Sequence, residues 1–382
     1  MADWTETNDQ EVLDLVMRLM AVPGVSREEG RLADTIREIL LENGVRDENI
    51  YQDDAHKRSP CGGECGNLIV NIPGTLDMPR RLLSAHMDTV SVHLGAEPVI
   101  EGDRIVSASG GGVASDDRAG VAAVLYAALR VVREELPHPP LALLFTVQEE
   151  IGSQGAHFAD IDHFGRPEMC FCWDGPDVDT IGRGGRGKSY MEIEIHGERA
   201  KFFGPDQPGI STPVVFARAM SRLDAEGWLG MVDKDGRKGS SNVVIVDSSA
   251  RGYETNVVMD YMLVRAEARE LGSPGFDGEI ARSFRKAFED AAARTVNCRG
   301  ESGRVDFTLL PERETCLVPE DAPVMREAAR ALEHVGLEPG NYRVGFLDIG
   351  RLIPRGYPAV NLGVGGANAH EPDNYLNIPD FL

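Results

Sequence analysis

The stretch Ser84–Gly152 decides the fold, because each of its three short clusters places a histidine or carboxylates beside an apolar run. The clusters are Ala85-His86-Met87-Asp88, Ser115-Asp116-Asp117-Arg118-Ala119-Gly120 and Gln148-Glu149-Glu150-Ile151-Gly152. The apolar runs 81–85 and 141–147 have the length of buried strands, and 119–135 has helical periodicity. The sequence therefore predicts a strand, a helix and a second strand, each with polar side chains at one end.

These polar ends are expected to meet, because ligands of an open α/β sheet bind outside the carboxyl ends of its strands. Two further clusters fit the same edge. Phe171-Cys172-Trp173-Asp174 ends another apolar run, and Asn368-Ala369-His370-Glu371 lies near the C-terminus. Histidine nitrogens with several carboxylate oxygens suit Zn²⁺, Co²⁺ or Mn²⁺. The sequence therefore predicts a divalent metal site.

Composition argues against several classes of partner. The chain has 382 residues and a formal net charge of −23. This charge argues against binding to nucleic acid or to anionic membrane surfaces. No basic segment followed by an apolar stretch stands at the N-terminus, and no apolar run reaches transmembrane length, so we expect a cytoplasmic protein. The six cysteines favour free thiols over a disulfide framework in a chain of this size.

The pattern of strands and helices changes in the middle of the chain. Strands alternating with helices predict an α/β fold, with a mixed, mostly parallel sheet covered by helices on both faces. After Asp174, Lys188–His196 instead alternates apolar and polar residues, as in a half-exposed strand. We therefore predict a catalytic domain made of residues 1–186 and 313–382, and an inserted α+β domain made of residues 187–312.

Some polar residues also have a purely structural interpretation. Ser26 and Glu29 have the spacing of a capping box that opens a helix. Asp116 and Asp117 can cap the helix that they open. A single histidine in a Gly-rich loop, such as His370, is more often structural than catalytic. The metal interpretation depends on all five clusters occurring together.

Taken together, the clusters resemble those of the dinuclear zinc peptidases of the carboxypeptidase G, aminoacylase and peptidase T family. His-x-Asp, Asp-Asp-Arg-Ala-Gly, Glu-Glu-x-Gly-x-x-Gly-Ala, Asp and His occur in that family's order, over nearly the whole chain. Residues 145–150 and 209–211 are most similar to the peptidase T-like branch. A related family of self-assembling aminopeptidases inserts its extra domain before the Asp-Asp pair, whereas here the insertion follows Asp174. The resemblance implies a zinc exopeptidase-like fold with an inserted lid and dimerisation domain.

The resemblance also implies a role for each matched residue. His86 and Asp174 would hold one metal ion, and Glu150 and His370 would hold the other. Asp116 would bridge the two ions. Asp88 would orient His86. Glu149 would be the general base toward a water shared by two divalent ions. The ions would be zinc, with cobalt or manganese as alternatives.

The inserted domain carries the matches that concern the substrate. Arg269 matches an arginine that binds a substrate carboxylate, a task that suits its bidentate fork, and Asn256 matches a substrate-facing asparagine. Lys201 stands where the family usually has a histidine, supplied across a dimer interface to stabilise the oxyanion. Lysine can also donate to an oxyanion, but as a strongly hydrated charge on a flexible stem. The resemblance thus implies a homodimer through the insertion, with Lys201 acting in trans.

We expect a metal-dependent exopeptidase that hydrolyses short peptides, with a di- or tripeptidase as the leading form. Two alternatives stay open at this point. One is an N-acyl amino acid deacylase or amidohydrolase on the same site, and the other is a noncatalytic peptide-binding homologue. An intact Glu149 with all five ligand positions argues against the noncatalytic alternative, whereas Lys201 keeps it open.

Overall fold

The computed structural model describes residues 8–248, 256–345 and 347–382. It divides into two compact units. The first unit consists of Met1–Gly185 and Leu317–Leu382, and the second of Arg186–Cys316. The predicted insertion, residues 187–312, lies within the second unit.

The first unit begins with a series of alternating helices and strands. In chain order they are α1 (Asp9–Met20), α2 (Gly30–Glu42), β1 (Ile50–Gln52), α3 (Ala55–Arg58), β2 (Leu68–Ile72), β3 (Arg81–His86), β4 (Pro98–Glu101), β5 (Arg104–Ser107), α4 (Ser115–Arg133), β6 (Leu141–Thr146), α5 (Gln154–Phe158), β7 (Met169–Trp173) and β8 (Thr180–Gly185). The predicted strand at Arg81 and the predicted strand at Leu141 are therefore confirmed as β3 and β6.

The second unit is an antiparallel sheet with two long helices. Its elements are β9 (Lys188–His196), α6 (Thr212–Ala225), β10 (Gly230–Lys234), β11 (Arg237–Ser248), β12 (Tyr261–Glu270), α7 (Phe276–Ala293) and β13 (Arg304–Arg313). The strand order is β10-β11-β12-β9-β13. The alternation predicted for Lys188–His196 is present, because Met191, Ile193 and Ile195 are buried in one core with the α7 phenylalanines 276, 284 and 288.

The chain then returns to the first unit. The remaining elements are β14 (Cys316–Leu317), α8 (Pro323–His334), β15 (Asn341–Gly345), α9 (Ile349–Leu352), β16 (Ala359–Leu362), β17 (Gly366–Ala367), β18 (Tyr375–Asn377) and α10 (Ile378–Phe381). Strands β17, β18, β5 and β4 form a small separate sheet. This sheet was not predicted, because its strands have at most four residues and too little periodicity to be recognised.

A nine-stranded sheet forms the centre of the first unit within the described residues. Its order is β1-β2-β6-β3-β7-β16-β8-β14, with β15 beside β8. Strands β6, β3, β7 and β16 run parallel. Strand β2 is antiparallel to β6, and β8 is antiparallel to β16. The predicted mixed, mostly parallel sheet is confirmed.

Both faces of this sheet are covered. Leu141, Leu143 and Phe145 of β6 share one core with apolar residues of α1, α2 and α4. Ala142 and Leu144 face the opposite way, into a second core with residues of α9. Because β6 is buried on both faces, its sequence is continuously apolar rather than alternating. Among the described helices, none is long and apolar enough to cross a membrane.

Candidate metal centre

Three neighbouring strands deliver the polar clusters to one edge of the sheet. Strand β3 ends at His86, which is 2% exposed. Strand β7 on one side of β3 is followed directly by Asp174, and β6 on the other side leads into Glu149 and Glu150. The convergence expected from the rule for open sheets is therefore present.

The two aspartates at the start of α4 have different contacts. The Asp116–Asp117 peptide is cis, and both residues have non-helical backbone angles. Asp117 Oδ1 accepts a hydrogen bond from Gly120 N at 3.1 Å, and its Oδ2 accepts one from His86 N at 3.0 Å. Asp117 is thus a helix cap that also holds the end of β3. The side chain of Asp116 instead turns toward two histidines.

The predicted ligands form two groups of three that share Asp116. Within each group the ligand atoms lie within 4.8 Å of one another; the groups are His86, Asp116 and Asp174, and Asp116, Glu150 and His370. Asp116 Oδ1 lies 3.0 Å from His86 Nε2, and Oδ2 lies 3.4 Å from His370 Nε2. His370 Nε2 also lies 2.8 Å from Glu150 Oε2. One carboxylate therefore faces both groups, with one oxygen toward each.

The chemistry of this donor set fits divalent metal ions. It consists of two imidazole nitrogens and three carboxylates, the ligand types that Zn²⁺ and its neighbours in the first transition series prefer. Burial and the neighbouring Asp116 raise the pKa of Asp174 to about 8. Buried Glu150 Oε1 has no hydrogen-bond partner among the described residues. Crowded, buried carboxylates with an unpartnered oxygen favour a nearby cation, and a divalent metal ion would supply one.

The histidines have raised pKa values because of these same carboxylates. Hydrogen bonds to Asp116 and Glu150 raise the pKa of His370 to about 10. Burial lowers the pKa of His86, but contacts with Asp116 and Asp88 outweigh it and raise the value well above the ordinary one. A metal ion bound to either group would displace the proton from its imidazole, since only neutral imidazole is a ligand.

Glu149 lies beside the ligand groups but belongs to neither of them. It is 9% exposed, and Ser153 Oγ donates to its Oε1 at 2.9 Å. Burial raises the pKa of Glu149 well above its ordinary value, although His86 opposes the shift. A carboxyl group that is free of metal and readily holds a proton has the properties of a general base and acid.

Asp88 contacts more groups than the single histidine that it was predicted to orient. His86 Nδ1 lies 3.0 Å from the backbone oxygen of Asp88 and 3.5 Å from Oδ1 of its carboxylate. The same carboxylate accepts Glu149 N at 2.8 Å and Glu150 N at 3.2 Å. Asp88 therefore connects the histidine at the end of β3 with the two glutamates that follow β6.

The capping-box prediction for Ser26 and Glu29 is wrong. Helix α2 begins after Glu29, and no side chain of the described residues caps it. Ser26 Oγ instead donates to Asp88 Oδ2 at 2.6 Å, and Glu29 Oε1 accepts Gln148 N at 3.0 Å. Both side chains are needed by buried polar groups of the neighbouring loops, and this need outweighs the local capping contacts.

Asp348 is a buried residue of the site region that was not predicted from the sequence. Thr146 Oγ1, at the end of β6, donates to Asp348 Oδ2 at 2.5 Å. Asp348 is also among the charges that raise the pKa values of Glu149 and Asp174. Its one sequence signal is an acidic residue inside the apolar segment 347–353.

The three predicted substrate residues lie in the second unit. Lys201 and Asn256 are exposed. Arg269 contacts Glu267 through two hydrogen bonds, Nε to Oε1 at 3.0 Å and Nη2 to Oε2 at 3.1 Å. Their action on a substrate stays a prediction.

A mixed α/β sheet with a histidine–carboxylate centre at its carboxyl edge defines a metal-dependent hydrolase. Residues 82–382 match the model of peptidase family M20/M25/M40, and the chain belongs to this family. The predictions of the family and of a metallopeptidase are confirmed. The uncharacterized protein YqjE of Bacillus subtilis (strain 168) is 24% identical over 384 residues, covering 98% of this chain and 95% of YqjE. Peptidase T of Serratia proteamaculans (strain 568) is 24% identical over 265 residues, covering 69% of this chain and 61% of that enzyme.

Solved structures give the same fold. A tripeptidase from Staphylococcus aureus has a TM-score of 0.82 at 24% identity, covering 98% of this chain and 95% of that one. Aminopeptidase PepT from Bacillus cereus ATCC 10987 has a TM-score of 0.81 at 25% identity, with the same coverage. These similarities, with those to peptidase T, confirm the peptidase T-like branch that the sequence predicted.

Proposed function

We propose that this protein is a metal-dependent exopeptidase that hydrolyses short peptides, with tripeptides as its leading substrates. The observation that carries the proposal is one carboxylate, Asp116, shared by two ligand groups, with Glu149 beside them and bound to neither. Each of the two groups can hold one ion, and the carboxyl group of Glu149, which belongs to neither group, can transfer protons. The name of the S. aureus tripeptidase supports short peptides as the substrate class, and that of the Serratia peptidase T supports a peptidase.

Two divalent ions per chain belong to the proposal, and we assign zinc to both, with cobalt or manganese able to use the same donors. His86 and Asp174 would hold one ion, Glu150 and His370 would hold the other, and Asp116 would serve both. When bound, the ions would polarise the scissile carbonyl and lower the pKa of the attacking water. A solved relative from Bacillus subtilis, YXEP, is named as a dinuclear metal-binding peptidase.

Glu149 performs the proton transfers in this proposal. Its carboxylate takes a proton from the attacking water and gives it to the leaving nitrogen. The hydrogen bond from Ser153 Oγ fixes one of its oxygens, and the contacts of Asp88 with the adjacent main chain fix the direction of the loop.

Three residues of the second unit have roles toward the substrate in this proposal. Arg269 binds a carboxylate of the peptide, Asn256 faces the substrate, and Lys201 stabilises the oxyanion from the partner subunit of a homodimer. The family resemblance supports these roles.

A panel of peptides tests the proposed function. The panel contains di- and tripeptides with free ends and N-acylated amino acids, assayed with added Zn²⁺, Co²⁺ or Mn²⁺. We expect tripeptides to be hydrolysed fastest and a chelator to abolish turnover. Faster hydrolysis of the N-acylated compounds would replace the proposal by the deacylase alternative. Binding of peptides without turnover, under every metal, would replace it by the noncatalytic alternative.

A further inference from the structure

The segment between α1 and α2, residues 24–29, lies against the loop that follows β3. Val25 forms a parallel bridge with Thr89. Thr89 N donates to Gly24 O at 3.1 Å, and Ser26 N donates to Thr89 O at 3.3 Å. These main-chain hydrogen bonds fix the segment directly beside Asp88, so its side chains reach the site edge of the sheet.

Glu29 connects this segment to the loop that carries Glu149. Its side chain is fully buried, and Oε1 accepts both Gln148 N at 3.0 Å and Arg27 N at 2.9 Å. Gln148 has a φ of +57°, in the left-handed region. A non-glycine residue stays in that conformation only where its surroundings hold it. Because Gln148 immediately precedes Glu149, the carboxylate of Glu29 fixes the direction in which Glu149 leaves β6.

The side chain of Gln148 is also held by hydrogen bonds. Ser59 Oγ donates to its Oε1 at 2.7 Å, and its Nε2 donates to Gly62 O at 2.6 Å. The left-handed residue is therefore anchored through both its main chain and its side chain. Of these contacts, only the one to Glu29 involves the backbone N–H of Gln148. This nitrogen belongs to the N–Cα bond of Gln148, and rotation about that bond would move Glu149.

Ser26 acts on the same loop through a second route. Its hydroxyl donates to Asp88 Oδ2 at 2.6 Å. Asp88 in turn accepts the main-chain N–H groups of Glu149 and Glu150. The segment thus holds one loop at two adjacent points, directly through Glu29 and through Asp88 from Ser26.

We propose that Glu29 and Ser26 are positioning residues for the general base, which hold the Gln148–Glu150 loop in the geometry that proton transfer requires. The inference rests on the proposed function, in which Glu149 is the base. Neither side chain belongs to a ligand group, so their removal shifts the loop that carries the base and takes away no ligand atom. Turnover then falls, while the Michaelis constant and the metal content at saturating metal stay near those of the wild type.

Four variants test the inference by steady-state kinetics on a hydrolysed tripeptide. Glu29→Ala removes the acceptor, and we expect a fall in kcat of ~10–100-fold, up to the loss that a reacting group misplaced by about 1 Å causes. Glu29→Gln keeps an acceptor oxygen for Gln148 N, so it should retain most of the turnover. Glu28→Ala removes the exposed neighbouring acid and should change nothing. Leu32→Ala, a buried change on α2, lowers stability and leaves kcat per folded molecule unchanged.

The outcomes separate positioning from simple stability. A Glu29→Ala enzyme with wild-type kcat overturns the inference, as does a Leu32→Ala enzyme whose kcat falls equally. A Glu29→Gln enzyme as slow as Glu29→Ala also overturns it, because the acceptor oxygen is then not what matters. If Glu29→Ala does not fold, Ser26→Ala provides the test, and we expect its kcat to fall while its Michaelis constant and metal content do not change. A wild-type kcat in Ser26→Ala would then overturn the inference. A wild type that hydrolyses no peptide refutes the proposed function instead.

Discussion

Asp88→Asn is the substitution whose effect follows most directly from the geometry of the site. The Asp88 carboxylate accepts Glu149 N on Oδ1, and Glu150 N and Ser26 Oγ on Oδ2. Asparagine has a single acceptor oxygen. In either orientation of the asparagine amide, its NH2 group faces one of the two main-chain N–H groups and cannot accept a hydrogen bond from it. The Ser26 hydroxyl can rotate and accept instead, but the main-chain donors cannot.

The magnitude follows from the loss of one hydrogen bond to a charged acceptor, about 1.5–3 kcal/mol. One tenfold change in rate corresponds to about 1.4 kcal/mol. If the whole loss falls on the loop that presents the base, kcat decreases by ~10–100-fold. Metal affinity should fall as well, because Glu150 and His86 also contact Asp88.

The assay measures kcat for tripeptide hydrolysis at saturating metal, and metal affinity by competition with a chelator. Asp277→Asn is the matched control, because Asp277 is a buried carboxylate of the second unit that accepts Ser189 Oγ at 2.5 Å. We expect the control to keep its metal. If Asp88→Asn keeps both kcat and metal affinity within about twofold of the wild type, the contacts of the Asp88 carboxylate do not contribute the expected ~10–100-fold to kcat.

Three further predictions concern the base, the oxyanion and pH. Glu149→Gln should keep its metal and lose most turnover, whereas Glu150→Gln should lose metal affinity; equal metal loss in both, by elemental analysis, would contradict this division. Lys201→Ala should lower kcat by ~10²–10³-fold without changing metal content, as for a lost oxyanion donor, and kcat within about twofold of wild type would remove Lys201 from the mechanism. Burial lowers the pKa of His93 from 6.5 to about 4. As pH falls, the unfolded chain therefore protonates this histidine at a higher pH than the folded chain does. The free energy of unfolding of the metal-free protein should therefore fall by about 1–2 kcal/mol between pH 7 and pH 5, and this part should be absent in His93→Gln.

Elements with a strong local pattern could be predicted from the sequence. Strand β9 has the predicted bounds and β3 begins where the apolar run 81–85 begins, because a clear alternation and an apolar run define them without help from the rest of the chain. The convergence of the polar clusters followed from the rule that the carboxyl ends of parallel strands share one edge of a sheet. The assignment of His86, Asp174 and Glu150 as ligands followed from the family resemblance.

Contacts between distant segments could not be predicted in this way. Ser26 and Glu29 fit a local capping pattern, yet they bind Asp88 and Gln148, which lie 62 and 119 residues further along the chain. Asp348 meets Thr146 across 202 residues. A pattern read over four residues contains no information about such partners. The supporting roles of Ser26, Glu29 and Asp348 were therefore missed, although the candidate ligands were expected to converge.

Metal titration of the metal-free protein, with tripeptide hydrolysis followed at each addition, tests the central claim most directly. We expect bound metal to saturate at two ions per chain, because Asp116 is shared by two ligand groups. We also expect full turnover when both groups are filled. Saturation at one ion per chain, or filling of both groups without hydrolysis of any peptide, would contradict the proposed mechanism.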